Sequence, residues 1–263
     1  MKRQYIYLLI LAALTIPLFL PLGLKHQVTD EVEKFYQTIE DLPPGSTVMV
    51  SFDFEASTIA ETKPLAQAVL RHLFSRRISV VSLSMLAEGT GLGHSFLKEV
   101  ADEFGRKYGA DYVFLGFRPQ YQATILGLGE DFAKVFPQDY LRNNLSDLSL
   151  TQKVRNYEGI SLIISVADGD LPQYWVDYAQ TRFQKPVAAA VTAVMATSYY
   201  PYLSSGQFSG LVGGLKGAAE YETLLGKAGL GSKGMEAQSL GHLMIIALII
   251  IGNLAHLRTR KKI

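Results

Sequence analysis

The chain has 263 residues, with 25 Lys and Arg, 24 Asp and Glu, a formal net charge of +1 and no cysteine. A composition of 48% hydrophobic and 19% charged residues excludes a disordered chain, and the lack of cysteine excludes a disulfide scaffold. The lack of cysteine also excludes a cysteine nucleophile and cysteine-ligated zinc or iron–sulfur sites. The near-neutral charge argues against a nucleic-acid partner, since proteins that bind nucleic acids normally carry a basic face.

The positive charges are concentrated at the two ends of the chain. The basic residues of these ends are Lys2, Arg3, Arg258, Arg260, Lys261 and Lys262. Without these six residues, the body of the chain has 19 basic residues against 24 acidic ones, a net charge of −5. A mildly acidic body with two basic ends is typical of a protein anchored in a membrane at both ends.

Two apolar segments adjoin the basic ends. Residues 5–24 carry no charge, and residues 240–257 contain His242, Asn253 and His256 as their polar members. Because a bilayer core of about 30 Å needs roughly 20 apolar residues in a helix, we predict transmembrane helices over 5–24, as a signal anchor, and over 240–257. A cleaved signal peptide is the alternative for the first segment, and a buried core helix for the second.

The flanking charges predict the topology. Basic residues are retained on the cytoplasmic side of a membrane, so residues 1–4 and the basic tail 258–263 are expected in the cytoplasm. The body, residues 25–239, is then extracytoplasmic, and we expect the protein in the plasma (inner) membrane.

Apolar runs alternate with amphipathic stretches between the two segments. The predicted helices are residues 28–40, 60–76, 94–108 and 172–184, and the predicted strands are residues 46–53, 78–85, 111–117, 159–168 and 186–194. Continuously apolar strands separated by helices indicate a parallel sheet that is covered on both faces. We therefore predict an α/β domain with a doubly wound, mainly parallel, five-stranded Rossmann- or flavodoxin-like sheet.

Four carboxylates follow two of the predicted strands. Asp53 and Glu55 follow the first strand, and Asp168 and Asp170 follow the fourth. The carboxyl ends of parallel strands meet at one edge of the sheet, where such folds bind ligands. The four side chains are therefore candidate catalytic residues, and they could hold Mg²⁺ or Ca²⁺ or bind sugar hydroxyls. The alternative is that they cap turns and helix N-termini.

Four further residues are candidates for ligand binding at the same edge. Gly91 and Gly93 belong to the run GTGLGH at 89–94, whose amides could cradle an anion at the start of a helix. Arg118 follows the third predicted strand, and Thr192 lies in the last residues of the fifth. The alternative for the glycine run is a flexible turn.

The segment VMVSFDFEAST at 48–58 resembles the first motif of haloacid-dehalogenase-type phosphatases, an apolar strand followed by Asp-x-Asp-x-Thr. In this resemblance Asp53 matches the nucleophile, while Glu55 replaces the general-acid Asp and Ser57 replaces the Thr. The run ADGD at 167–170 is loosely similar to a late acidic motif of that family, and no lysine motif can be assigned. The resemblance covers these two short segments and implies phosphatase-like chemistry at Asp53.

Small residues recur at four-residue spacing before the second apolar segment, at Gly206, Gly210, Gly214 and Ala218. This spacing predicts a Gly-rich helix over 206–222 whose small face packs on a partner helix, in a homo-oligomer or against a membrane protein partner. A helix packed on its own sheet and a Gly-rich loop are the alternatives. Residues 227–239, rich in Gly and Ser, predict a flexible linker.

Two hypotheses of different class follow for the function. The first is a membrane-anchored extracytoplasmic binding or scaffold module, a subunit of an envelope protein complex. The second is a membrane-tethered, metal-dependent hydrolase or phosphatase-like enzyme that uses the carboxylates at the strand ends. No complete catalytic motif occurs in the chain, which favours the first.

Overall fold

The computed structural model describes residues 3–20, 22–24 and 26–260, without the side chains of residues 255, 256 and 258–260. Lys2, Lys261 and Lys262 of the predicted basic ends lie outside the described residues, as does Pro21 in the first apolar segment.

Helices and strands alternate along most of the chain. The strands are β1 (Thr47–Asp53), β2 (Ser79–Ser84), β3 (Tyr112–Phe117), β4 (Leu162–Ala167), β5 (Val187–Val191) and β6 (Gly210–Gly213). The helices are α1 (Arg3–Phe19), α2 (Asp30–Glu40), α3 (Ile59–Ser75), α4 (Ala87–Glu103), α5 (Tyr121–Leu128), α6 (Phe132–Val135), α7 (Ser149–Lys153), α8 (Leu171–Tyr174), α9 (Thr181–Phe183), α10 (Ala193–Ser204), α11 (Gly214–Leu224) and α12 (Leu230–Arg260). A π-helix, Trp175–Gln180, connects α8 to α9.

Across the described residues, six parallel strands form a sheet in the order β3-β2-β1-β4-β5-β6. This is the doubly wound order of Rossmann-like folds, in which the strand order reverses at β1, with β2 and β3 on one side of it and β4 on the other. The predicted α/β class with a parallel sheet is confirmed. The predicted number of five strands is wrong, because β6 pairs with β5 from Gly210 to Gly213.

The prediction of a Gly-rich helix over 206–222 is wrong for the first half of this range. Gly210 lies in β6, where an added Cβ would stand 2.7 Å from the Cα of Phe35 in α2, so the two backbones approach as only glycine permits. Gly214 forms the bend between β6 and α11 with a φ of +65°. Gly206 lies in an exposed turn and Ala218 is buried in α11. The four small residues therefore do not form one helix face.

Helices cover both faces of the sheet and create two cores. Val48 and Val50 of β1 face a core formed with α2, α3, α4 and α11. Met49 faces the core on the opposite side of the sheet, which also contains Ile125 of α5 and Ala196 of α10. The alternation along β1 is that of a strand buried on both sides, and it explains the continuously apolar sequence.

The run GTGLGH at 89–94 lies inside α4 and does not form the predicted loop. A Cβ on Gly89 would stand 2.5 Å from the carbonyl oxygen of Phe52, and one on Gly93 would stand 2.6 Å from the Phe52 ring. The two glycines therefore let α4 pack directly on β1. Since α4 begins at Ala87, the amides of Gly91 and Gly93 lie beyond the four that a helix leaves unpaired, so the predicted anion cradle is wrong.

The helix α12 continues without a break through the predicted linker and the second predicted span. Gly231 and Gly234 do not end it, because they pack on α11: an added Cβ would stand 2.8 Å from Ala218 and 2.9 Å from Leu215, respectively. The linker prediction is therefore wrong from Leu230 onward.

Among the described helices, α12 alone is long and apolar enough to cross a membrane, with 25 residues, Leu230–Leu254, and a mean hydropathy of 1.7 over an 18-residue window. The apolar helix α1 has 17 residues. At a rise of 1.5 Å per residue it is about 25 Å long, shorter than a hydrocarbon core of about 30 Å. Length and composition thus support the second predicted span and leave the first as a shorter apolar helix.

Candidate functional site

A cleft opens at the carboxyl edge of the sheet, between β1 and β4, where the strand order reverses. It has a volume of about 400 Å³ and is lined by Glu55, Thr58, Tyr121, Asp168 and Asp170, with Asp53 at its base. The structure therefore brings the four predicted carboxylates to one cleft. In folds of this class the same position binds ligands.

Asp53 is completely buried and fully hydrogen-bonded. Its Oδ1 accepts hydrogen bonds from the Ser51 hydroxyl at 2.6 Å and the Met85 amide at 3.1 Å. Its Oδ2 accepts from the Ser165 hydroxyl at 2.8 Å and from the Trp175 indole at 3.2 Å. With two donors on each oxygen, the carboxylate links β1, β4, the residue after β2 and the π-helix beneath the cleft.

This environment gives Asp53 a structural role. Burial raises the pKa of the Asp53 carboxyl, and the four hydrogen bonds oppose that rise. A nucleophile needs an oxygen that reaches the substrate, whereas both oxygens of Asp53 are directed at donors inside the protein and the residue is 0% exposed. The resemblance to haloacid-dehalogenase-type phosphatases is therefore not supported by the geometry at the position of its nucleophile.

Two other carboxylates bind the amides that follow β1. Asp168 Oδ2 accepts from the Glu55 amide at 2.8 Å and from the Thr58 hydroxyl at 2.7 Å. Glu88, in the first turn of α4, accepts from the Ala56 amide at 3.1 Å. Amides at this position hold phosphate groups in nucleotide-binding proteins of this fold class. Here the chain's own carboxylates occupy them, and their negative charge disfavours an anionic ligand.

The same pattern recurs where α10 begins. Thr192 is buried at the end of β5, and its amide donates to the Ala167 carbonyl at 3.2 Å. The next amide, of Ala193, donates to Glu61 Oε2 at 2.8 Å. Thr192 thus lies at the predicted edge but does not line the cleft.

The remaining predicted ligand residues lie away from the cleft. The Arg118 Nε donates to the Val135 carbonyl at 2.8 Å, and its guanidinium stands 5.2 Å from the centre of the Phe136 ring. Arg118 therefore packs on the segment that includes α6. Gly91 and Gly93 lie within α4 and do not line the cleft.

Tyr121 lines the cleft, and the ring of Tyr174 packs beside it. The rings of Tyr121 and Tyr174 lie 4.2 Å apart, and the Tyr174 hydroxyl stands 3.4 Å from Asp170 Oδ2. The hydrogen bond with Tyr121 and the nearby charge of Asp170 raise the pKa of Tyr174 to about 12. At neutral pH the Tyr174 hydroxyl is therefore neutral, and Tyr121 brings an aromatic face to the cleft beside exposed carboxylates, a surface suited to neutral or cationic groups.

The carboxylates of the cleft do not form a metal centre. Within the described ranges, no three His, Asp or Glu side chains are grouped so that they could hold a metal ion. Asp53 has its acceptor positions filled, and Asp168 Oδ2 is bound to a backbone amide and a hydroxyl. These contacts give the predicted Mg²⁺ or Ca²⁺ site no support.

A second polar cluster joins the domain to the apolar helices, and we call its members Glu220, Glu222 and Glu236 the carboxylate joint. Glu222 belongs to α11 and is buried against the start of α12. Its oxygens accept hydrogen bonds from the amides of Gly229, Gly231 and Ser232 at 2.7–2.8 Å. Helix N-termini favour such anions through their unpaired amides and their dipole. The first turn of α12 is therefore fixed to α11.

The other two members of the joint hold the segment between α1 and α2. Glu236 of α12 accepts from the amides of Leu22 and Leu24 at 2.7 and 2.9 Å. Glu220 Oε2 accepts from the amide and hydroxyl of Thr29 at 3.0 and 2.8 Å. These long-range bonds tie the chain after α1 to α11 and α12.

Sequence reasoning missed the donors around Asp53 and the carboxylate joint. Ser51, Ser165 and Trp175 converge on Asp53 from separate parts of the chain, and no local motif relates them. Glu222 gives a weak signal, since it precedes a Gly-rich segment that starts a long apolar helix.

Comparison with known proteins does not indicate a function. The chain matches no protein-family model, and no curated protein is similar to it at a significant level.

Proposed function

We propose that the protein is a two-pass membrane protein whose extracytoplasmic α/β domain is a binding or scaffold module, a subunit of an envelope protein complex in the plasma (inner) membrane. The pairing of α1 with α12 carries this proposal. An added Cβ on Gly241 would stand 2.7 Å from the Leu14 side chain, so the two helices pack closely along their apolar lengths.

The outer surface of the helix pair supports a membrane position. Leu, Ile, Tyr and Phe side chains of α1 and of residues 243–257 of α12 are exposed to an extent that water would disfavour. The pair is antiparallel, because Leu14 meets Gly241 whereas Leu22 and Leu24 meet Glu236. The start of α1 and the end of α12 therefore lie at the same end of the pair, which agrees with two basic ends in the cytoplasm. Local thinning of the bilayer accommodates the shorter α1.

The cleft supports binding in preference to catalysis. Asp53 is occupied by four internal donors, and Asp168 and Glu88 are occupied by backbone amides. The residues that face the open space include Glu55, Asp170 and Tyr121, whose ring lies 4.2 Å from that of Tyr174. Such a surface recognises a neutral or cationic group without offering an activated nucleophile.

Cysteine labelling tests the topology on the natural cysteine-free chain. We expect Asp147→Cys, an exposed position of the domain, to react with a membrane-impermeant maleimide in intact cells. Ile263→Cys in the basic tail serves as the matched position and should react only after permeabilisation. The reverse pattern would overturn the orientation, and labelling of both positions in intact cells would overturn the two-pass arrangement.

Purification from the native membrane tests the scaffold role. We expect the intact protein, solubilised in mild detergent, to elute with a membrane protein partner or a second copy in fixed stoichiometry. Elution as a lone monomer would overturn the subunit proposal. Asp168→Ala should leave the complex assembled; a cellular defect caused by this variant with the complex intact would favour the hydrolase alternative.

A further inference from the structure

The two apolar helices meet the domain at the carboxyl edge of the sheet. The helix α11 starts at this edge, directly after β6, and α12 runs antiparallel to it, from Gly231 beside Ala218 to Gly234 beside Leu215. The helix α12 therefore travels from the amino edge towards the carboxyl edge and leaves the domain there.

The segment that follows α1 enters the domain at the same edge. Val32, in the first turn of α2, shares a pocket with Gly213, the last residue of β6, whereas the Thr38 hydroxyl donates to the Ser209 carbonyl just before β6 at 2.8 Å. The start of α2 thus lies at the carboxyl edge and its end at the amino edge. Both connections to the apolar helices are on the side of the sheet that bears the cleft.

The distance from this edge to the predicted hydrocarbon region is short. Met235 of α12 shares a pocket with Thr29 and with Lys216 in the first turn of α11, so it is level with the carboxyl edge. The predicted span starts at residue 240, five residues further on, which is about 7.5 Å along a helix. A headgroup layer is roughly 5–8 Å thick on each side of the bilayer core. The edge therefore lies within reach of the headgroups.

Exposed apolar side chains also lie at the same edge. Outside the apolar helices and the segment 20–24, seven large hydrophobic residues of the described chain are exposed: Ile59, Phe117, Tyr121, Tyr140, Leu141, Val194 and Tyr200. Ile59, Tyr121 and Val194 are the first or second residues of helices that follow β1, β3 and β5, and Val194 is 78% exposed. An apolar residue this exposed at a helix start is unfavourable in water and favourable at a membrane interface.

We propose that the carboxyl edge of the sheet rests on the lipid headgroups through Ile59, Tyr121 and Val194, so that a ligand reaches the cleft from the membrane surface. This inference rests on the proposed membrane anchoring by α1 and α12. Because Glu55, Glu88 and Asp170 line this edge, anionic lipids would be repelled, and the surface that fits is one of zwitterionic headgroups.

The test uses the full-length protein in phosphatidylcholine nanodiscs, with an environment-sensitive fluorophore on single cysteines. Ile59→Cys and Val194→Cys report on the carboxyl edge, and Asp41→Cys and Ser205→Cys are matched exposed positions at the amino edge. We expect lipids that carry a quencher near the headgroup to quench the labels at 59 and 194, and aqueous iodide to quench those at 41 and 205.

A fifth label, at Ile249→Cys in α12, separates the two proposals. Lipid quenching at 249 together with iodide quenching at 59 and 194 equal to that at 41 and 205 would overturn the membrane-facing edge and leave the anchoring intact. No lipid quenching at 249 would overturn the anchoring itself. Labels at 59 and 194 shielded from both quenchers would indicate a protein on this edge and would also overturn the inference.

Discussion

Replacement of the buried Asp53 carboxylate should lower the free energy of unfolding by a measurable amount. Asp53→Asn keeps the shape of the side chain but presents an amide hydrogen to buried donors, so we expect a loss of about 1–3 kcal/mol in the free energy of unfolding, and a larger loss for Asp53→Ala. Asp170→Asn is the control, and because Asp170 is exposed we expect a change within about 0.5 kcal/mol. Urea unfolding in detergent provides the measurement. Unchanged stability of Asp53→Asn with loss of ligand binding would instead show a direct role in the cleft.

The buried imidazole of His72 gives the domain a pH dependence. Its Nδ1 lies 2.6 Å from the Tyr221 hydroxyl and its Nε2 lies 2.8 Å from Glu40 Oε1. A carboxylate can only accept, so Nε2 carries the proton and Nδ1 accepts from the tyrosine. Burial lowers the pKa of His72, and the hydrogen bond to Glu40 opposes this change.

The sign of the effect follows from linkage. The folded pKa of His72 lies below the unfolded value of about 6.5, so the unfolded chain takes up the proton first as the pH falls. We expect the urea midpoint to be constant above about pH 7.5 and to drop towards about pH 5.5, before Glu40 begins to titrate near its unfolded pKa of about 4.3. The drop should be smaller in His72→Gln, which cannot titrate. An equal drop in both proteins would contradict this assignment.

At the scale of elements, the glycines of α4 should respond to alanine with opposite signs. A methyl group on Gly89 would stand 2.5 Å from the carbonyl oxygen of Phe52, and backbone cannot move aside as a side chain can, so Gly89→Ala should destabilise the domain by about 1–3 kcal/mol. Gly91 lies in the same helix with open space around it, and Gly91→Ala should stabilise by up to about 1 kcal/mol. Thermal unfolding of the two variants gives the comparison, and equal effects would show that α4 does not pack on β1 through glycine.

The elements also show how far sequence reasoning reaches. Strands β1 to β5 could be predicted because their residues are apolar on both faces, which is a local property. The strand β6 could not, because its four residues, Gly210–Gly213, form a strand through pairing with β5 and close approach to α2. For the same reason the spacing of Gly206, Gly210, Gly214 and Ala218 predicted one helix, while tertiary contacts divide these residues among a turn, a strand and a helix.

The candidate site was predicted in its position and not in its chemistry. That Asp53, Glu55, Asp168 and Asp170 share one edge follows from parallel topology, and the structure brings them to one cleft. Whether a carboxylate faces solvent or internal donors depends on Ser165 and Trp175, more than a hundred residues from Asp53 in the chain. The predicted parallel topology therefore locates the site, and only the fold distinguishes a buried structural acid from an accessible one.

At the scale of the whole molecule, the two apolar helices should behave as one unit within a single chain. The Leu14 side chain would lie 2.7 Å from a Cβ on Gly241, so the double variant Leu14→Cys, Gly241→Cys should form an intramolecular disulfide under mild oxidation in the membrane. Leu14→Cys with Gly252→Cys is the control, because Gly252 has open space around it and lies 11 residues, about 16 Å, further along α12.

We expect a monomer of altered mobility in a non-reducing gel for the first pair and no crosslink for the second. Crosslinking within one chain would support a self-contained anchor that leaves the exposed sides of both helices free to meet a partner. A covalent dimer from the first pair would show that α1 of one copy packs on α12 of another. In that case the carboxylate joint, in which Glu236 of α12 holds Leu22 and Leu24 after α1, would be an intermolecular contact as well.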